Sequence, residues 1–219
     1  MNAKNNARPV GGTGDKKLTT AHPTLAYEIR DSLYLNVTDR CTLACTFCPK
    51  TRGYRRVHEY DLTLLRLPSA TQVIDSIGDP TRYREVVFCG FGEPTLRLKL
   101  VLTVADYVKA GNVRVRINTD GLANRVYKRN VLLEMVGRVD ELCVSMNAQN
   151  KQVYDRHCLP VMPESFDAML AFLDDAARYI PMVTATAIDG LEGVDINACK
   201  KLALEHGVGF RRRVLDLVG

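Results

Sequence analysis

Short apolar runs recur along this chain at nearly even spacing, and that rhythm restricts the fold more than any other feature. They are Leu33 to Val37, Glu85 to Phe88, Val113 to Asn118, Glu141 to Met146, Met182 to Ile188 and Phe210 to Leu215. Each is short and rich in β-branched or bulky residues, as a strand should be. The last five begin at 85, 113, 141, 182 and 210, at intervals of 28, 28, 41 and 28. Such an interval fits one strand, one helix and two short loops. The segments between carry helical spacing: 68–77, opened by Pro68; Leu98 to Ala110, stopped by Gly111; Val131 to Gly137; Pro163 to Tyr179; and Asp195 to His206, ended by Gly207. Six strands alternating with five helices predict an α/β fold with a parallel sheet and right-handed crossovers. Two architectures fit the pattern equally, a doubly wound open sheet and a partial barrel. Both place functional residues at the carboxyl ends of the strands.

Composition and flanks add bounds. Residues 1–26 are polar and aperiodic, so a disordered or expression-derived arm is expected before one domain spanning 27–219. A chain of 219 residues, 46% hydrophobic and 25% charged, can bury one sizeable core. No run approaches the roughly 20 apolar residues of a membrane span, and no apolar export segment follows Met1. A cytoplasmic protein without a membrane partner is the expectation. The net charge of +5 is a mild bias, short of a nucleic-acid signature.

Seven cysteines, an odd number in a chain this long, argue against a secreted disulfide framework. Three fall in Cys41-Thr-Leu-Ala-Cys45-Thr-Phe-Cys48, directly after the first apolar run. Three thiolates on one short loop can converge on one metal centre. Four soft ligands would saturate that centre, whereas three leave a coordination position open. A [4Fe–4S] cluster held this way has one iron free for an exogenous ligand. The residues alone leave other readings open: a structural zinc site completed by His58 or Cys89, a redox or disulfide role, or buried inert thiols. Cys89, Cys143, Cys158 and Cys199 form no short-spaced set, so a second cluster is not expected.

The later strand ends carry polar turns. Cys89-Gly-Phe-Gly-Glu-Pro94 offers two glycines that permit close backbone approach and a carboxylate that can pair with an ammonium group. Asn118-Thr119 and Ser145 end the next two runs and can bond hydroxyl or carboxylate groups, although such residues also dominate ordinary turns.

Cys41, Cys45 and Cys48, with Phe47 before the last, resemble the signature of the radical S-adenosylmethionine (radical SAM) superfamily. The resemblance covers about Tyr27 to Leu215 and implies a partial (β/α)6 TIM-like barrel. It implies a [4Fe–4S] cluster on the three cysteines, with S-adenosylmethionine (SAM) bound at the open iron. It further implies reductive cleavage of SAM to a 5′-deoxyadenosyl radical, which removes hydrogen from a substrate the sequence does not name. Gly90, Gly92, Glu93 and Pro94 look like the family's glycine–glycine–glutamate motif, whose backbone and acid hold the methionyl amine; Phe91 departs from the commonest form. On the same resemblance Asn118, Thr119 and Ser145 contact ribose or carboxylate, and Ile188 packs on adenine. No residue is assigned to hydrogen transfer. His157 and Cys158, in the loop expected after the fourth run, could touch substrate or simply pack.

Ser32 to Cys41, Cys48-Pro-Lys, Ser145 to Gln149, Tyr154 and Cys158-Leu-Pro160 are similar to the small radical SAM proteins associated with TatD-type nucleases. A reductant such as flavodoxin or ferredoxin is implied as a partner. Lys50, Arg52, Arg55, Arg56, Arg125, Lys128 and Arg129 gather near the same face, so an anionic small molecule or a macromolecule is one expectation for the unidentified substrate, and simply solvated charged loops are the other reading. A glycyl-radical-enzyme activase and a deazapurine-type synthase are alternatives within the family. A non-catalytic iron–sulfur or zinc module binding nucleic acid is the alternative outside it.

Overall fold

The computed structural model describes residues 23–215. It opens with a hairpin, β1 (Ala26–Ile29) and β2 (Ser32–Leu35), followed by a small outlying hairpin, β3 (Arg56–Val57) and β4 (Tyr60–Asp61). Then come α1 (Ala70–Ile77), β5 (Glu85–Phe88), α2 (Leu98–Ala110), β6 (Arg114–Thr119), α3 (Ala123–Tyr127), α4 (Leu132–Met135) and β7 (Glu141–Ser145). The chain continues through α5 (Lys151–Cys158), α6 (Ser165–Tyr179), β8 (Met182–Asp189), α7 (Ile196–Glu205) and β9 (Gly209–Val214). The main sheet runs β1-β2-β5-β6-β7-β8-β9, and every pairing beyond the antiparallel β1–β2 is parallel. The six expected strands are therefore present, in chain order, as a partial TIM-like barrel.

Three features differ from expectation. Ala26 already belongs to β1, which joins β2 through a tight turn with Arg30 in the left-handed region at φ 56°. Residues 1–22 of the expected arm lie outside the described residues. The segment Val131 to Gly137 is shorter than read, with helix only over Leu132–Met135. The loop expected after the fourth parallel strand contains a full helix, α5, capped by the Asn150 side chain accepting from Val153 N.

The strands alternate sharply. Leu35, Val86, Phe88, Val115, Ile117, Leu142, Val144, Ala185 and Ala187 face the helix layer and are fully buried. Their neighbours Tyr34, Arg116, Asn118, Cys143, Ser145, Thr186 and Arg211 line a cavity on the other face. Period-two alternation thus separates an apolar exterior, against which α2, α6 and α7 pack, from a polar lumen. Deep in that lumen Arg116 meets Glu85 through Nε and Nη2 at 3.2 and 2.9 Å, and donates to Tyr34 and Asn118 as well. A buried pair satisfied this fully adds little net stability over an apolar pair of the same volume, but losing one partner would leave the other charge uncompensated. Among the described residues no helix is long and apolar enough to cross a membrane.

Candidate active site

Cys41, Cys45 and Cys48 lie on the loop that leaves β2, half-buried and free of disulfides. Their loop is fastened from behind. Ala44 N donates to Cys158 O at 3.1 Å, Thr46 N to His157 O at 2.8 Å, and Val161 N to Thr42 O at 3.1 Å. The last carbonyls of α5, which have no partner within their own helix, are thereby satisfied by the cysteine loop. Pro49–Arg52 then forms a 3-10 turn ended by Gly53 at φ 85°, a value suited to glycine. All three thiols face one cavity of about 430 Å³. Among the described residues no three His, Cys, Asp or Glu side chains are grouped tightly enough to hold a single metal ion.

The glycine turn after β5 is pressed against the approach to this loop. A Cβ at Gly92 would stand 2.3 Å from Thr38 O and 2.7 Å from Arg40 O, both backbone atoms. At Gly90 it would stand 2.8 Å from Asn36 Oδ1. Glu93 N donates to Arg40 O at 2.7 Å, sealing turn to loop. The Glu93 carboxylate is buried in the cavity wall and committed to the protein's own donors. Oε1 accepts from Thr95 N, Thr95 Oγ1 and Thr119 Oγ1 at 2.9, 2.6 and 2.9 Å, and Oε2 from Asp120 N at 2.7 Å. Asp120 in turn accepts from Leu122 N at 3.0 Å and from the Thr42 hydroxyl, next to Cys41. Glu93 and Asp120 therefore brace the ends of β5 and β6 to the cysteine loop.

Burial pushes the Cys41 thiol well above its ordinary value, with the Asp120 charge adding to it. Cys45 rises too, chiefly through its hydrogen bond with Cys158 and then through burial. Both stay protonated until a metal charge compensates the thiolate. Burial, and then the Asp120 charge, push Glu93 from 4.5 up to about 8, and burial raises Asp120 as well. Between those two values the folded chain holds a proton that the unfolded chain releases, so stability falls as pH rises. Glu93's contribution is complete below 4.5 and is lost as pH climbs through about 8. Melting of the metal-free protein should thus occur at lower temperature at about pH 8 than at about pH 5, and Glu93→Gln should flatten that slope. Thermal scans across the interval test it; a melting temperature that rises with pH would remove the assignment.

Of the residues singled out from sequence, Phe47, Gly90, Gly92, Glu93, Asn118, Thr119, Ser145 and Ile188 line the same cavity as the three cysteines. Pro94 does not; it is buried at the head of a 3-10 turn (Pro94–Arg97). His157 and Cys158 do not either. They end α5, with His157 Nε2 2.7 Å from Glu192 O and the fully buried Cys158 beside Cys45. Sequence reasoning overlooked Asn147. It lines the cavity from a left-handed position at φ 59°, donates to Cys158 Sγ at 3.6 Å, and leaves its buried Oδ1 without a partner among the described residues. An Asn immediately beyond a strand end is the signal that could have found it, since Asn adopts that backbone more readily than other side-chain-bearing residues.

Residues 35–204 match the family model of the radical SAM superfamily. The chain belongs to that superfamily. Its members are enzymes that use a [4Fe–4S] cluster and SAM. No curated protein sequence matches the chain. Among solved structures, TYW1 with a lysine–pyruvate adduct bound is similar, at 14% identity and TM-score 0.59, covering 84% of this chain and 64% of that one. Streptococcus suis SuiB bound to its precursor peptide SuiA gives TM-score 0.65 at 11% identity, covering 85% and 39%. SuiB bound to SAM gives TM-score 0.63 at 10% identity, covering 84% and 40%. This chain therefore spans less than two thirds of either relative, and the likeness is one of fold.

The residues present fit the superfamily's cofactors. The radical SAM chain offers three undisulfided thiols on one cavity, a glycine turn packed directly against the segment leading to them, and an orphaned amide oxygen at Asn147.

Proposed function

We propose that this chain is a radical SAM enzyme whose domain begins near residue 27, with Cys41, Cys45 and Cys48 as the thiolate ligands of one [4Fe–4S] cluster. The observation that carries the reading is the convergence on a single cavity of the three thiols, the Gly90–Gly92 turn and the polar ends of β6, β7 and β8. When bound, the cluster would supply the electron that cleaves SAM to methionine and a 5′-deoxyadenosyl radical.

The chain's own residues bind and orient. Gly90 and Gly92 let the turn press against Asn36, Thr38 and Arg40, which sets its backbone in the cavity wall for the methionyl end. Glu93 and Thr119 set that turn in place through their mutual bond rather than by meeting the amine. Asn118, Ser145 and the Asn147 Oδ1 present acceptors and donors for ribose and carboxylate, and Phe47 and Ile188 present apolar wall for adenine. Thr42 and Asp120 hold the loop against the β6 end.

The narrower placement, among the TatD-associated radical SAM proteins, rests on the sequence resemblance alone. The hydrogen donor is a substrate yet to be identified. SuiB's peptide complex supports a macromolecule as one class to test, alongside small anions. A flavodoxin or ferredoxin would deliver the electron, in the cytoplasm.

Anaerobic reconstitution with iron and sulfide should give a brown protein that converts SAM to 5′-deoxyadenosine when reduced. A colourless protein that takes up one zinc ion and binds nucleic acid with steep salt dependence would replace this reading with the non-catalytic one.

A further inference from the structure

Two arginines on the last strand have no part in the reading above. In β9, Arg211 and Arg213 take the lumen-facing register, whereas Arg212 points the other way and pairs with Asp189 at 2.6 Å. Arg211 is the β-sheet neighbour of Thr186, and Arg213 that of Ile188, so both guanidinium groups belong to the wall beside the proposed adenine position. The third lumen guanidinium, Arg116, is neutralised by Glu85. Arg211 is not: among the described residues its hydrogen-bond partner is the Cys143 thiol at 3.6 Å. Of the nearby acids, Glu93 and Asp120 are occupied by threonines and backbone N–H groups, and Glu141, which accepts from the same Cys143 thiol at 3.4 Å, is paired with Arg114 at 3.1 Å. The β9 side of the cavity thus carries positive charge that the neighbouring acids do not cancel at Arg211.

We infer that Arg211 and Arg213 form the anion subsite for the substrate, so that the molecule acted on carries a carboxylate or phosphate docked against β9. Residues two apart on one strand face start about 7 Å apart, within reach for both long side chains to close on one oxyanion. Guanidinium forks match the oxygens of carboxylate and phosphate two at a time. A charge fixed at β9 also orients the rest of the substrate toward the cysteine end, where a hydrogen atom would be removed. The inference rests on the cavity being the SAM cavity proposed above, and its test keeps the two apart.

The test uses the full chain, reconstituted anaerobically, with inorganic phosphate and succinate as probes and melting temperature as the readout of affinity. Either probe should stabilise wild-type protein and Arg212→Gln alike. Arg211→Gln and Arg213→Gln should each weaken that response by about tenfold, and Arg211→Lys, which keeps the charge and loses the fork, should fall between. A response to phosphate alone identifies a phosphorylated substrate, and one to succinate alone a carboxylate. Equal responses from Arg211→Gln and Arg212→Gln overturn the subsite. So does competition between SAM and the probes, which would make the arginines contacts of the cofactor's own carboxylate. SAM cleavage by wild-type protein is measured in parallel. Cleavage without probe binding at β9 removes the anion subsite and leaves the enzyme reading standing; probe binding without cleavage does the reverse.

Discussion

Gly92→Ala will lower the melting temperature by roughly 6–12 °C, the effect of about 3 kcal/mol on a chain of this size. The new methyl would meet Thr38 O at 2.3 Å and Arg40 O at 2.7 Å, and backbone cannot rotate away as a side chain can. Either the turn after β5 or the segment leading to Cys41 must move. Movement also strains the Glu93 N to Arg40 O bond, so iron incorporation should fall together with stability. Gly90→Ala is the comparison. Its new methyl meets only the Asn36 side-chain oxygen, at 2.8 Å, although that side chain is tied to Thr24 O and Leu62 O. A smaller loss is expected there. Differential scanning calorimetry decides, and a Gly92→Ala protein melting within a degree of wild type would mean that the loop accommodates the methyl without cost.

Cys45→Ala will abolish the brown colour and reduce 5′-deoxyadenosine formation by more than a hundredfold. Losing even an outer hydrogen-bond partner of a metal ligand typically costs 10–100-fold, and a ligand counts for more. The same loss is expected for Cys41→Ala and Cys48→Ala. Cys199→Ala, buried in α7 and not on the cavity wall, should keep full iron content. Cys89→Ala and His58→Ala separate three-thiolate ligation from a four-ligand zinc site, because only the latter loses its metal when a remote fourth ligand goes. Iron analysis after reconstitution reads the difference. Retained iron and retained turnover in Cys45→Ala would end the assignment of that residue.

Much of this was legible before any coordinates, and the legible part was local. Strand–helix alternation writes itself into short apolar runs, and the cysteine spacing is a property of eight consecutive residues. What escaped depended on partners remote in sequence. β1 is four residues long and exists because the β2 edge is there to pair with it. α5 is rich in charge, with Val153, Tyr154, His157 and Cys158 as its buried face, and its clearest signal was the Asn150 cap. Glu93 reads as a ligand-facing acid from its motif; its local donors from Thr95 are joined by two from Thr119 and Asp120, 26 and 27 residues on, which only the fold brings near. Arg211, Arg212 and Arg213 look alike in sequence, and only the register with β8 tells which two enter the lumen.

The alternation along the strands has an evolutionary consequence. Most of the strands' fully buried apolar residues point to the helices, while their alternate neighbours line the lumen, so the two sets lie on opposite faces of the sheet. Substitutions in one set should combine with those in the other almost additively. A lineage of such chains can then exchange the inward residues of β7, β8 and β9 one at a time and acquire new substrates, while its packing, and hence its tolerance of further mutation, stays as it was.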